Sequence, residues 1–356
     1  MLESPTIETI AKRACVAKST VSLALRNSPK LLDATRVKIQ GIARDLGYKP
    51  NPLVSAQMAR IRRSRPLKKV STIGFLNTWY DEARHRRQKW DVMGRFHRGV
   101  KERAEALGFQ FEPLEFDTST YSVKRIEQIL KSRNIDALVL SPLKLSSSRL
   151  AVNWDPYAVV SIGYFESFGN IHRVFYDNFN SMEKVMEIAQ SRGYRRIGFI
   201  TNHESEERAG HLWSAGFLEY QSRCIPEEGQ VPLLRLASQE REFSSVEYDQ
   251  VEDWYKEHQP DLIVSYLDRT LRHLESVGFR SPADFGYISL LWSKELGDIA
   301  GYCQCLEKVG ATAVDIVVER LFQNYRGIPD YPSSTLLTGE FREGRTLRPP
   351  RETLPG

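Results

Sequence analysis

Lys18, Ser19, Thr20 and Ser22 set one cation and three short hydroxyls within five residues, while Val21, Ala24 and Leu25 fall on the other side of a helix drawn through 18–25. A lysine in such a row can read guanine acceptors in a major groove, and hydroxyls can contact phosphates or base edges. Catalytic chemistry has less to work with. No Gly-x-Ser-x-Gly, Walker loop or His-Glu-x-x-His occurs, and Gly94–Gly99 lacks the glycine fingerprint of a dinucleotide site. The seven histidines, among them His85, His97, His203 and His211, show no metal-ligand spacing. Cys303-x-Cys305 has no second pair or nearby histidine, which argues against zinc. The sequence thus predicts no catalytic residues, no metal and no cofactor.

The polar row needs a frame, and the flanking residues supply one. Thr6 can cap a helix that starts at Ile7 with Glu8 in its first turn. Ile7, Ile10, Ala11 and Ala14 then make one apolar stripe. Cys15-Val16-Ala17 interrupts the stripe, and the 18–25 helix follows until Asn27-Ser-Pro29 breaks it. Asp33 is expected to cap a third helix carrying Ile39, Ile42, Ala43 and Leu46, with Gly47 as a left-handed stop. Two helices joined by a tight turn, the second polar outside, form the helix-turn-helix pattern; a generic three-helix packing module is the alternative. Next, Asn51 and Pro52 suit the cap and first turn of a short helix over 51–59, and Arg60, Arg62, Arg63 and Arg65 follow. Such a helix is marginal alone, so it orders only against a partner, or the segment is a flexible basic linker.

Charge divides the chain in the same place. Residues 1–69 hold 15 Lys and Arg against 4 Asp and Glu, a net of +11, while the rest hold 35 against 41, a net of −6. A basic head on a mildly acidic body suits a polyanion at the head; a solvated basic tail is the alternative. The 356 residues, 41% hydrophobic and 27% charged, fit a globular protein and exclude disordered and collagen-like classes. Four scattered cysteines argue against a disulfide scaffold, and neither a membrane span nor a secretory signal pattern is visible, so a cytoplasmic location is expected.

In the head, Thr6-Ile-x-x-Ile-Ala-Lys-Arg-Ala-x-Val16, Ser19-Thr-Val-Ser22, Asn27, Thr35-Arg36 and Leu46-Gly-Tyr-x-Pro-Asn51 resemble the lac repressor and purine repressor (LacI/GalR-type) regulators. Weaker matches run through the body: Ile73-Gly-Phe-Leu76, Ala104-x-x-Leu-Gly-Phe109, Asp177-Asn178, Arg192-Gly-Tyr-Arg-Arg-Ile-Gly198, Ala215-Gly-Phe217, Pro260-Asp261, Asp268, and Gln304 with Gly310-x-x-Ala-Val314. The resemblance implies a homodimeric, ligand-controlled repressor or activator, here read as a repressor, on a near-palindromic double-stranded DNA operator, with a small effector, a sugar, between two lobes. Lys18, Ser19, Thr20 and Ser22 would face the major groove. Thr6, Thr35, Arg36 and Tyr48 would hold phosphates. Asn51, Ser55, Gln57 and Met58 would belong to a hinge helix at the minor groove.

The chain departs from the family in places. Cys15 stands where the turn usually has Gly or Asn, and Ala17 where a Ser commonly caps the recognition helix. Gln57 replaces the leucine that wedges into the minor groove, with Met58 beside it. In the body, Trp213 stands at the sugar-binding arginine position, with Arg208 five residues earlier, and Leu291-Trp292 replaces the strand-end aspartate. The resemblance makes Tyr164, Arg208, Trp213, Asp268 and Trp292 the effector set. Aromatic faces stack on sugar rings, and Asp and Arg hydrogen-bond hydroxyls, whereas each tryptophan alone could equally be core.

The body itself alternates short apolar runs (Ile73–Leu76, Ala137–Leu140, Val159–Ile162, Ile197–Ile200, Leu262–Ser265, Tyr287–Leu291) with helical patterns such as Phe96, Val100, Ala104 and Leu107, or Met182–Arg192. That alternation implies parallel sheets with ligands at the carboxyl ends of strands. The expected architecture is an N-terminal all-α helix-turn-helix head plus an α/β body, a two-lobed periplasmic-binding-protein-like (type I) domain with parallel sheets. The expected boundaries are 1–50 for the DNA-binding domain, 51–69 for the hinge helix and basic linker, 70–344 for the effector-binding and dimerisation domain, and 345–356 for a frayed tail. Two other classes stay open: an enzyme with an added DNA module, and an architectural DNA-binding protein whose body binds no effector.

Overall fold

A computed structural model of the chain describes residues 6–25, 28, 31–48, 71–78, 92–116, 121–142, 151–164, 170–237 and 244–349. The head is three helices, α1 (Ile7–Ala14), α2 (Lys18–Leu25) and α3 (Asp33–Asp45). Thr6 caps α1 by accepting the Thr9 amide at 3.2 Å, and the Thr9 hydroxyl accepts the Thr6 amide in return. Ile10, Ala11, Ala14, Val21, Ala24, Ile39 and Ala43 close a small core, the stripe that the spacing predicts. Cys15 adopts the left-handed conformation, φ 54° and ψ 44°, at a cost of roughly 1–2 kcal/mol for a residue with a Cβ. Gly47 takes a positive φ of 68° just past α3.

Asp33 does not cap α3. Leu32 holds the cap position without a side-chain bond, and Asp33 is the first helical residue. An acid there still favours the positive end of the helix dipole.

The body runs β1 (Thr72–Asn77), α4 (Val92–Ala106), β2 (Gln110–Glu115), α5 (Val123–Ser132), β3 (Ile135–Leu140), β4 (Ala158–Ile162), β5 (Arg173–Tyr176), α6 (Asn178–Ser191), β6 (Ile197–Asn202), α7 (His203–Arg208) and α8 (Leu212–Cys224). It continues with β7 (Leu234–Leu236), α9 (Ser245–His258), β8 (Leu262–Ser265), α10 (Arg269–Ser276), β9 (Gly286–Ser289), β10 (Gly301–Cys303), α11 (Leu306–Gln323), β11 (Ser334–Leu337) and β12 (Glu340–Arg342). Two six-stranded sheets result, ordered β11-β5-β4-β3-β1-β2 and β12-β10-β9-β8-β6-β7. Every pairing is parallel except β10 with β12. β1, β3, β4, β6, β8 and β9 are buried nearly throughout, as parallel strands covered on both faces must be.

Each sheet anchors one lobe, and the chain passes between lobes after β5, after β10 and after β11. α11 returns to the first lobe, where Leu306, Val309, Ala313, Val314, Val317 and Val318 join Phe75, Phe96, Val100, Val139 and Val160 in one core. Two expectations are corrected. β9 stops at Ser289, so Leu290 and Leu291 lie in the turn beyond the strand. The tail is not frayed from Arg345: the Thr346 hydroxyl accepts the Ala300 amide at 3.0 Å and donates to the Tyr287 carbonyl at 2.8 Å, and Leu347 is buried in the second-lobe core. Residues 345–349 are therefore a packed strap. Its hydroxyl bridges two backbone groups, a pattern that an irregular stretch of sequence does not reveal.

Candidate functional site

The polar row of α2 stands as drawn from the spacing. Lys18 and Ser19 are exposed, Thr20 and Ser22 half-buried, while Val21 and Ala24 turn inward. Lys18 is not a free cation. Its Nζ donates to Glu8 Oε2 at 2.7 Å, and Lys12 lies 3.5 Å from the other Glu8 oxygen. Lys18, then Lys12, hold the Glu8 carboxyl below the usual range. Glu8 of α1 thus reaches across to α2 beside the residue expected to read bases, a role that its first-turn position alone does not announce. Arg36 pairs with Asp33 at 2.6 Å with a quarter of its side chain exposed. Thr6 spends its hydroxyl on the α1 cap, and Thr35 and Tyr48 are half-buried. The Gln40 amide ties α3 to the Ala24 carbonyl of α2 at 2.8 Å. Asn51, Ser55, Gln57 and Met58 lie outside the described residues.

In the body, the carboxyl ends of the strands carry the polar groups. Asn77 ends β1 and accepts from Ser141, just past β3, at 2.9 Å, both buried. Asn202 ends β6 and caps α7 by accepting the Ser205 amide at 3.1 Å. The Tyr266 hydroxyl, beyond β8, meets Thr201 at 2.9 Å and donates to Asn202 at 3.1 Å. Burial drives that phenol well above its ordinary range. Glu206, fully buried, accepts from Thr201 at 3.1 Å and from the Ser214 hydroxyl. The sequence reading missed this network of Thr201, Asn202, Glu206, Ser214 and Tyr266. The one available signal was a polar pair, Thr201-Asn202, closing an apolar strand run.

The five expected effector residues fall into two groups. Tyr164, just past β4, lies against Gly210 of the second lobe, so close that a Cβ on Gly210 would sit 2.5 Å from its ring. Arg173 also approaches the ring, 5.5 Å from its centroid. Arg208, at the end of α7, pairs with Glu204 at 2.7 Å. Trp213, at the start of α8, is 3% exposed and packs in the second-lobe core, 6.4 Å from the Tyr176 ring. It offers no open face for stacking in this arrangement. Asp268 and Trp292 stand past the neighbouring strands β8 and β9. Asp268 pairs with Arg272 at 3.0 Å, and Trp292 donates its indole N–H to the Ile299 carbonyl at 2.9 Å and leaves part of its ring exposed. Two amides mark the crossings themselves. Among the described residues, neither polar side-chain atom of buried Asn178 finds a hydrogen-bond partner, nor does Oε1 of buried Gln304.

Residues 6–51 match the family described as bacterial regulatory proteins, lacI family. The head is thus similar to lacI-family DNA-binding heads. The chain is 24% identical to the HTH-type transcriptional regulator PtxS of Pseudomonas plecoglossicida over 327 residues, 89% of each protein. Matches to other curated regulators span less than two thirds of those proteins' length. In fold it is similar to the transcriptional regulator CelR–cellobiose complex (TM-score 0.59, 18% identity, 96% of this chain and 99% of that one). It is also similar to the lac repressor dimer bound to operator and the anti-inducer ONPF (TM-score 0.55, 17% identity, 97% and 99%). The matched segment is the head, and the relative that spans most of the body is itself a transcriptional regulator. Among the described residues, no helix is long and apolar enough to cross a membrane.

Proposed function

We propose that the chain is a repressor, acting as a homodimer in the cytoplasm, whose grip on a near-palindromic operator is set by a sugar held between the two lobes. The observation that carries this reading is the unspent hydrogen-bonding capacity of Asn178 and Gln304 at the lobe crossings. Buried polar atoms are nearly always paired, and an exception calls for a reason such as an absent water or ligand. A polyhydroxylated ligand supplies both donors and acceptors to such amides. Tyr164 on one lobe, and Arg208, Asp268 and Trp292 on the other, add a cation, a carboxylate and aromatic faces at strand ends. The cellobiose-bound relative, and a lacI-family structure solved with bound glucose, support the sugar class.

In the head, Lys18, Ser19, Thr20 and Ser22 read bases, and Thr6, Thr35, Arg36 and Tyr48 hold phosphates. Asn51, Ser55, Gln57 and Met58 contact the minor groove. The body extends from about residue 70, and residues 51–69 join it to the head.

The test is selection of bound duplexes from a random pool, with and without a panel of mono- and disaccharides. The expected result is a near-palindromic consensus whose affinity one sugar shifts tenfold or more. A consensus that no sugar shifts, together with calorimetry showing no sugar binding, would leave a DNA-binding protein whose body takes no such effector.

A further inference from the structure

Two sulfurs of the body take no part in either surface above. Cys303 is buried at the end of β10, and Cys305 is half-buried before α11, held in a left-handed conformation at φ 50°. Their Sγ atoms lie 3.7 Å apart, with Gln304 between them in sequence. This is the second of the three crossings between lobes. Arg95 of α4 reaches the same place: it makes a bidentate pair with Glu307 in the first turn of α11, 2.9 Å at each contact, and interacts electrostatically with the Cys303 side chain.

We propose that Cys303 and Cys305 form a reversible dithiol–disulfide site through which a hydroperoxide alters the crossing between the lobes. A disulfide needs its sulfurs at about 2.05 Å, so the pair, 3.7 Å apart, must close by about 1.7 Å. Cys305 is the more exposed sulfur and the one a small oxidant reaches. Its thiolate attacks the terminal peroxide oxygen, the S–O bond forms, the O–O bond breaks, and the alcohol (water, for hydrogen peroxide) leaves with a proton. The Cys303 sulfur then attacks the Cys305 sulfur, the S–S bond forms, the S–O bond breaks, and hydroxide takes the Cys303 proton to leave as water. Two thiols lose two electrons and two protons, and the hydroperoxide is reduced to alcohol and water. A dithiol reductant reverses the change by exchange.

The groups facing this pair come from four elements. Cys305 touches Cys303 of β10 and feels the charges of Lys308 of α11 and Glu340 of β12, and Cys303 lies within reach of the charge of Arg95 of α4, itself paired with Glu307. Burial, then Cys303, pushes the Cys305 thiol up to about 11. Because the thiolate is the nucleophile, oxidation is slow at neutral pH and rises about tenfold per pH unit below that value. Closure draws the Cys303 sulfur toward Cys305 and off the Arg95 guanidinium, at the point where Arg95 ties α4 to α11.

The site is tested on the reduced full-length chain exposed to hydrogen peroxide, then alkylated, digested and mapped by mass. The peptide holding Cys303 and Cys305 should lose two hydrogens, resist alkylation and recover with dithiothreitol, at a rate that climbs about tenfold per pH unit. In Cys303→Ser the reaction should stop at a sulfenic acid on Cys305 that a dione probe traps. Affinity for a duplex selected from a random pool should change threefold or more on oxidation and return on reduction. Cys303→Ser and Cys305→Ser should hold their reduced values under peroxide, which separates this site from the exposed thiol of Cys15. Both sulfurs remaining alkylatable would overturn the proposal. So would a disulfide that forms and leaves duplex affinity unchanged.

Discussion

Gly99 of α4 lies directly against the backbone of Glu307 on α11: a Cβ built on Gly99 would meet the Glu307 carbonyl oxygen at 2.0 Å. The approach is reciprocal, since a Cβ on Gly310 would come within 2.5 Å of the Phe96 carbonyl oxygen. The two helices touch main chain to main chain, and Arg95 and Glu307 clip them together beside that contact.

Gly99→Ala should therefore force α4 and α11 apart. The obstruction is backbone and cannot rotate away, so the cost should be about 1–3 kcal/mol or more. Denaturant titration of the variant checks this. An unchanged midpoint would mean that the helices separate without penalty.

Lys18→Ala should relax base preference at one or two positions of each half-site. Glu8→Gln should do something different. It removes the carboxylate that holds the Lys18 ammonium, so binding to unselected DNA should strengthen and the ratio of selected to unselected affinity should fall. Arg36→Ala should weaken all sequences together and flatten the salt slope by about 0.9. Fluorescence anisotropy on selected and scrambled duplexes at several salt concentrations separates the three outcomes.

Burial raises the Glu307 carboxyl, but the hydrogen bonds and charge of Arg95 outweigh it and leave the group below its ordinary 4.5. A carboxyl lowered in the folded state stabilises above its unfolded value, and that contribution disappears as pH falls through the folded value. The window is thus below about pH 4.5. The pair is partly exposed, so its share should be about 1 kcal/mol or less. The chain should lose stability on acidification through this range, and Glu307→Gln should lose less. Melting curves from pH 3 to 6 would show it; parallel losses in both proteins would remove Glu307 from the acid response.

Trp213→Ala should cost about 3–5 kcal/mol of stability, because the ring is a core element of the second lobe. Asp268→Asn keeps its volume and stands at a strand end, so it should lower effector affinity tenfold or more with duplex affinity intact. Calorimetry with the sugar that shifts the selected duplex measures the second. Full sugar affinity in Asp268→Asn would take that carboxylate out of the site.

Thr346→Val should strand the Ala300 amide, which the hydroxyl accepts at 3.0 Å. An unpaired buried donor costs about 1–3 kcal/mol. Urea titration reads the loss; a wild-type midpoint would show that the strap is dispensable.

Much of this arrangement was legible in the sequence, and the rest was hidden for physical reasons. The head was readable because its signals are local: Thr6 caps a neighbouring turn, Ile10 and Ala14 repeat at helical spacing, and Gly47 stops a helix within reach. The left-handed turn at Cys15 was implied only by the resemblance, which puts Gly or Asn at that position. Asp33 misled because an acid is favoured both at a cap and in the first turn, and only the backbone of Leu32 distinguishes the two. Trp213 was open to two readings, since aromatic rings suit a ligand wall and a core equally, and it packs in the second-lobe core. The Glu206 network and the Thr346 strap were invisible because their partners, Ser214 and Thr201, or Ala300 and Tyr287, come together only once the sheets exist.

The route of the chain through its two lobes bears on how it is made. The first lobe contains β1 to β5, yet its core also needs Leu306, Val309, Val314 and Val317 of α11, and its edge needs β11 as far as Leu337. A ribosome delivers the amino-terminal part first. The early strands must therefore wait, with an unfilled hydrophobic side, while residues 178–303 emerge and form the second lobe. That second lobe can assemble most of its sheet before the first is complete, lacking only β12 and the strap. The lobe synthesised first is thus the last to become watertight, and during that interval its exposed Phe75, Phe96 and Val139 are the surface that a chaperone would meet.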